Sequence, residues 1–294
     1  MYWAKSKVMV RLMIGVLLMG SLTSLFAFFL SYFHFEKFIP QNLGTIFSFL
    51  GVILSILLVF RTNSAYDRWW EGRKLWGSLV NNCRNLAVVS HSSFPKKDLQ
   101  SRHQMAVLIS NFCISAKEHL RFGVKMEELI QLEKEEKEEY RQKKHLPSFI
   151  SFQIHDLIME LRNKGALNDY DLFNFKPHTK SLLDIVGACE RIKKTPIPFS
   201  YEIFIKIFVL VYCLLLPFTI VPLFGFAGIP IVMLVFFAFM GLEMMAAEIE
   251  DPFGLDCNDL PTGQIAKIIS DNVFEILEAT QCEETEEKLY QIVN

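Results

Sequence analysis

Machinery for covalent chemistry is missing from this sequence. It has no HExxH, no G-x-S-x-G, no P-loop and no dinucleotide fingerprint, and none of its seven dispersed histidines lies inside a long apolar run. The six cysteines (Cys83, Cys113, Cys189, Cys213, Cys257, Cys282) show neither CxxC nor zinc-ligand spacing, so reduced thiols are expected. Excess charge of one sign is also lacking. Thirty Lys and Arg against 32 Asp and Glu leave a formal net charge of -2, which offers nothing to nucleic acid. Alternating strand patterns, hairpin signals and internal repeats are not found. An enzyme and a nucleic-acid binder are both disfavoured, and an all-α chain is expected.

What the sequence does have is hydrocarbon. The 294 residues are 51% hydrophobic, with mean hydropathy +0.27, yet 21% are charged. That mixture fits a membrane part joined to a soluble part. Leu12–Leu30 is charge-free and about one bilayer long at ~1.5 Å per residue. Its apolar core exceeds the ~7–15 residues of a signal peptide and no A-x-A-like site follows, so it reads as a retained span. Phe38–Phe60, between Lys37 and Arg61, is a second stretch. Ile207–Leu242 is too long for one crossing, and "PLFGFAGIP" (Pro222–Pro230) divides it with turn chemistry. Four spans are therefore expected.

Lys5, Lys7 and Arg11 precede the first span, and Arg61, Arg68, Arg73, Lys74 and Arg84 follow the second. The loops at the other side, around His34–Pro40 and Pro222–Pro230, contain only Lys37. Lys and Arg mark the cytoplasmic side, which predicts a multi-pass protein of the inner cell membrane with both termini in the cytoplasm. The expected layout is two spans in 1–60, a cytosolic helical domain in 61–200, two spans in 201–248 and a cytosolic tail in 249–294.

The cytosolic insert has a helical pattern. Tyr66, Trp69, Trp70, Trp76, Val80, Cys83 and Ala87 recur at three-and-four spacing. "HQMAVLISNFCISAKEHL" (103–120) repeats the pattern, and "QLEKEEKEEYRQKKH" (131–145) reads as an exposed helix with acid ahead of base. "HLPSF" (145–149) breaks the chain, with short helices predicted over Phe152–Lys164 and Lys180–Lys193 and one amphipathic helix over Thr262–Asn294. No breaker stands between Gly51 and Gly72, so one helix is expected to leave the membrane and continue into the cytosolic part. On its membrane half Val52, Ile56 and Phe60 share a face at i, i+4, i+8. Spacing alone leaves that face open to lipid, core or pore.

Two groups of ionisable residues are candidates for function. Glu243 is the one ionisable group within a span, a turn or so from the cytoplasmic end and within reach of water. "EIEDPFGLDCNDLP" (248–261) gathers Glu248, Glu250, Asp251, Asp256 and Asp259, hard oxygen donors that suit Ca²⁺. Helix capping by Asp259 and ion pairs to nearby Arg are the alternative.

Three blocks resemble the prokaryotic bestrophins: "FRTNSAYDRWWEGRKLWG" (60–77), "CERIKKTPIPFSY" (189–201) and "EIEDPFGLDCNDLP" (248–261). The resemblance implies a homopentameric ion channel, with four membrane helices per subunit and a helical cytosolic domain around one pore. In that family the second membrane helix lines an apolar neck shortly before an Arg-Trp-Trp motif, here Arg68, Trp69 and Trp70. Counted back from it, the neck falls on Val52, Ile56 and Phe60. Such a ring can gate by dewetting. Chloride or other monovalent anions are the ions the resemblance implies, with a monovalent-cation channel of the same fold as the alternative. A secondary transporter and a non-conducting scaffold are the readings outside the channel class. Animal bestrophins bind Ca²⁺ in the block after the fourth span, at positions that fall here on Glu248, Asp251, Asp256 and Asp259. Leu255, Cys257 and Asn258 interrupt the acidic string, so a channel that requires no cofactor is expected. The partners implied are inorganic ions, the lipid bilayer and further copies of the chain.

Overall fold

The structure is a computed structural model that describes residues 7–33, 42–132 and 134–279. Lys5, the His34–Pro40 loop with Lys37, Cys282 and the predicted helix beyond Ala279 lie outside the described residues. The described residues form ten α-helices in order: α1 (Lys7–Phe33), α2 (Leu43–Ser93), α3 (Leu99–His119), α4 (Lys134–Gln142), α5 (Leu146–Asn163), α6 (Asp169–Lys194), α7 (Phe199–Leu215), α8 (Pro217–Phe224), α9 (Gly228–Ile249) and α10 (Thr262–Ile276). No strand occurs among the described residues. The chain divides into two compact units. The first holds residues 1–69, 196–251 and 256–258; the second holds 70–195, 252–255 and 259–294.

Three helical stretches in the first unit are long and apolar enough to cross a membrane: Lys7–Phe33, the α2 stretch and Phe199–Ile249. The last is subdivided. Pro217 has no N–H to continue the ladder of α7, and Gly225 turns the chain at φ +57, ψ −136, a conformation that only glycine adopts without strain. The predicted turn between Pro222 and Pro230 is therefore made at Gly225. Small residues bring α1 and α9 close: a Cβ on Gly20 would lie 2.7 Å from the sulfur of Met233, and one on Gly241 would touch Leu12. Buried Leu54 and Leu58 of α2 pack with Val209 and Tyr212 of α7 and Val232 of α9 into one apolar core.

The second unit is a helical assembly in which α3 packs against α5 and α10, and α5 against α6. Residues 108–118 of α3 are buried throughout, including Lys117 and Glu118. Lys117 Nζ lies 3.0 Å from Glu118 and 2.5 Å from Glu128, so these charges are buried as a network rather than singly. Cys83 and Cys113 face each other with Sγ atoms 3.5 Å apart, and the five described cysteines are free.

Helices α6 and α10 differ from the sequence reading. α6 begins at Asp169 rather than Lys180: Asn168 and Asp171 form a reciprocal capping box, and the helix runs through Pro177. α10 ends at Ile276, inside the single helix expected over Thr262–Asn294. Glu278 there adopts φ +54, its N–H donating to Glu275 O and that of Ala279 to Phe274 O, which closes the last turn. α10 also starts after Pro261 with no side-chain cap, so Asp259 is not its N-cap.

Candidate functional site

α2 is continuous for 51 residues. Its inner stripe is Leu54, Leu58, Arg61 and Ala65, each no more than 1% exposed. On other faces Val52, Ile56 and Phe60 stand 58%, 52% and 61% exposed in the single chain. The predicted stripe is thus uncovered by the chain's own core and available to lipid, water or another copy. Lying immediately after Phe60, Arg61 places its guanidinium on the opposite, fully buried face.

Arg61 Nη2 meets Glu250 Oε2 at 2.6 Å. The other carboxylate oxygen of Glu250 accepts the N–H of Ile197 at 2.7 Å, and its backbone carbonyl accepts Arg68 Nε at 3.1 Å. One residue just after α9 therefore holds α2 at two heights and the chain entering α7. Trp69 Nε1 donates to Asn258 O at 3.0 Å and stacks on Tyr66. Two members of the Arg-Trp-Trp motif thus grip backbone carbonyls of the post-α9 segment, while Trp70 lies 47% exposed on α2.

Of the proposed Ca²⁺ ligands, Glu248 accepts Asn258 Nδ2 at 3.0 Å and faces Cys257 Sγ at 3.9 Å. Asp251 and Asp256 are exposed, and Asp259 belongs to the second unit. Within the first unit, Glu248, Asp251 and Asp256 do not bring three carboxylate oxygens within 4.8 Å of one another. Glu243 does not reach water as expected. It is 2% exposed, with Oε1 3.7 Å from Lys206 Nζ.

Sequence reasoning missed the pairing of Arg61 with Glu250, treating the first as a span boundary and the second as one acid among five. A signal existed: Leu54, Leu58, Arg61 and Ala65 follow the helical spacing of a buried stripe. A charge on such a stripe requires a buried partner.

The family described as "Bacterial/Fungal Bestrophin protein" matches residues 1–275. This chain belongs to that family. It is a bestrophin by the usual measures of sequence and fold. It is 39% identical over 232 residues to a voltage-dependent anion channel-forming protein of Nostoc sp. (strain PCC 7120 / SAG 25.82 / UTEX 2576), covering 77% of this chain and 75% of that one. A relative of the same name from Synechocystis sp. (strain ATCC 27184 / PCC 6803 / Kazusa) is 36% identical, covering 78% and 76%. Among solved structures, a bacterial bestrophin homologue from Klebsiella pneumoniae superposes with a TM-score of 0.84 at 26% identity, covering 94% of this chain and all of that one. The described residues form helices without strands, as expected, and these curated relatives are named for anion channel formation.

Proposed function

We propose that this bestrophin is a passive anion channel of the inner membrane, a homopentamer with four crossings per subunit, both termini cytoplasmic, and one axial pore. The observation that carries the reading is the family match over residues 1–275, together with relatives named for anion channel formation. The geometry is compatible with it: Val52, Ile56 and Phe60 are left uncovered on a helix whose other side is locked by Arg61, Arg68 and Trp69.

Five copies of that stripe around an axis make a narrow apolar neck. Water leaves such a tube readily, and an ion cannot cross without hydration or a substitute for it. A small rotation or widening of α2 rewets the neck. Because α2 continues without a break, movement at its far end is transmitted along a stiff rod. The ions are chloride or other monovalent anions, and opening requires no cofactor, calcium included.

The test is reconstitution of purified protein in a planar bilayer under a chloride salt gradient. Unitary current steps reversing near the chloride equilibrium potential are expected, unchanged between calcium and chelator. Reversal near the cation potential makes it a cation channel, and saturable flux without unitary steps makes it a transporter. Replacing Val52, Ile56 and Phe60 together by Ala widens the neck and is expected to raise open probability or conductance. Currents indistinguishable from wild type would remove these residues from the gate.

A further inference from the structure

Away from the membrane stretches, the second unit brings three metal-ligating side chains together from three different helices. His119 is the last residue of α3, His145 is the N-cap of α5, and Glu190 lies near the end of α6. Among the described residues they are the one set of three His, Cys, Asp or Glu donors whose ligating atoms all fall within 4.8 Å of one another. We propose that His119, His145 and Glu190 form a binding site for one divalent transition-metal ion of the zinc type.

The donor set selects the ion. Two imidazole nitrogens and one carboxylate oxygen suit Zn²⁺ and its neighbours, whereas Ca²⁺ and Mg²⁺ take oxygen donors. Access is open: the side chains are 22%, 37% and 18% exposed, so an ion can enter and water can complete the coordination. The surrounding charge is manageable. Lys194 Nζ binds Glu190 Oε2 at 2.9 Å and leaves Oε1 to the histidines. Lys193 is engaged by the carbonyls of Leu120 and Arg121. α3 ends at His119, and the terminal carbonyls of a helix favour a cation. Partial burial pushes the Glu190 carboxyl up, but hydrogen bonds from Lys194, His145 and His119 outweigh it and hold the group down at about 2.

In the ion-free geometry the three residues satisfy one another. His119 Nε2 and His145 Nε2 both lie on Glu190 Oε1, at 2.6 and 2.7 Å. His145 Nδ1 accepts the N–H of Ser148 at 3.1 Å, which leaves the ring proton on Nε2, donating to Glu190. Zinc bonds of about 2.0–2.1 Å in a tetrahedral site place neighbouring donors about 3.3 Å apart. Each N···O pair therefore opens by about 0.6 Å as the ion enters, and each proton moves from Nε2 to Nδ1. His145 gives up its helix-cap bond in this exchange, a small loss beside new metal bonds. The bound ion then clamps the end of α3, the start of α5 and the last turns of α6.

The experiment uses full-length protein in detergent, stripped with chelator and titrated with ZnCl₂. Saturable binding of one Zn²⁺ per chain is expected, with a raised unfolding temperature and no comparable effect from MgCl₂ or CaCl₂. H145N keeps a capping oxygen, and E190Q keeps an acceptor for the histidines. Each is expected to weaken Zn²⁺ binding by more than the about 10–100-fold that loss of a ligand's supporting partner costs, with unfolding in chelator near the wild-type temperature. Independently of any variant, Co²⁺-loaded wild type should show d–d bands without a thiolate charge-transfer band. Absence of stoichiometric binding, undiminished binding in H145N and E190Q, or a thiolate band overturns the proposal.

Discussion

Glu250 does three jobs with one residue, receiving Arg61 and Ile197 on its two carboxylate oxygens and Arg68 on its carbonyl. A guanidinium with no exposed surface cannot be left without its counter-ion. Removing one member of a buried pair costs about 3–5 kcal/mol, more than the pair's net worth. Glu250→Ala is accordingly expected to lower the unfolding temperature in detergent sharply, and Glu250→Gln to do so less. Pairing Glu250→Leu with Arg61→Met removes the stranded charge and should recover part of the loss. Recovery will be incomplete, because the Ile197 N–H still lacks its acceptor. Full stability in Glu250→Ala would show that Arg61 finds another partner.

Among the elements, α2 and the α7–α9 stretch depend on glycines at particular points. A Cβ on Gly51 would sit 2.8 Å from the Tyr212 hydroxyl, and that ring is packed against Phe47 and Phe239. Overpacking of this kind costs about 1–3 kcal/mol. Gly51→Val is therefore expected to weaken the seat of α2 beside Val52, visible as a lower unfolding temperature and altered single-channel conductance. Gly225 is needed for its backbone instead. Nothing lies within 4 Å of a Cβ there, but φ +57 with ψ −136 strains any L side chain. Gly225→Ala should cost about 1–3 kcal/mol without blocking contacts, so unfolding should shift while conductance per open channel does not. A conductance change in Gly225→Ala would mean the turn bears on the pore.

For the whole molecule, the decisive quantity is uncovered hydrocarbon. Within one chain only 17% of the most apolar window of α2 is buried, against 33% for α1 and 39% for the α7–α9 stretch. A helix so poorly covered must be enclosed by lipid or by other copies. If α2 lines a shared axis, the native mass in mild detergent is expected to correspond to five chains. A monomer that still conducts would contradict the axial arrangement and leave the neck without walls.

Much of this protein is legible in its sequence because the signals are local. Charge-free runs, the lack of a breaker between Gly51 and Gly72, and the Gly and Pro of 222–230 locate the apolar stretches, the long α2 and the turn. The stripe of Val52, Ile56 and Phe60 follows from helical period alone. The start of α6 and the end of α10 were misjudged because an internal Pro and a Glu at positive φ contradict local preference and are settled by capping geometry. The pairing of Arg61 with Glu250, separated by 189 positions, and the meeting of His119, His145 and Glu190 are decided only by the tertiary structure. A long-range contact has no periodicity to betray it: which acid meets which base depends on how helices cross, and that is determined by packing.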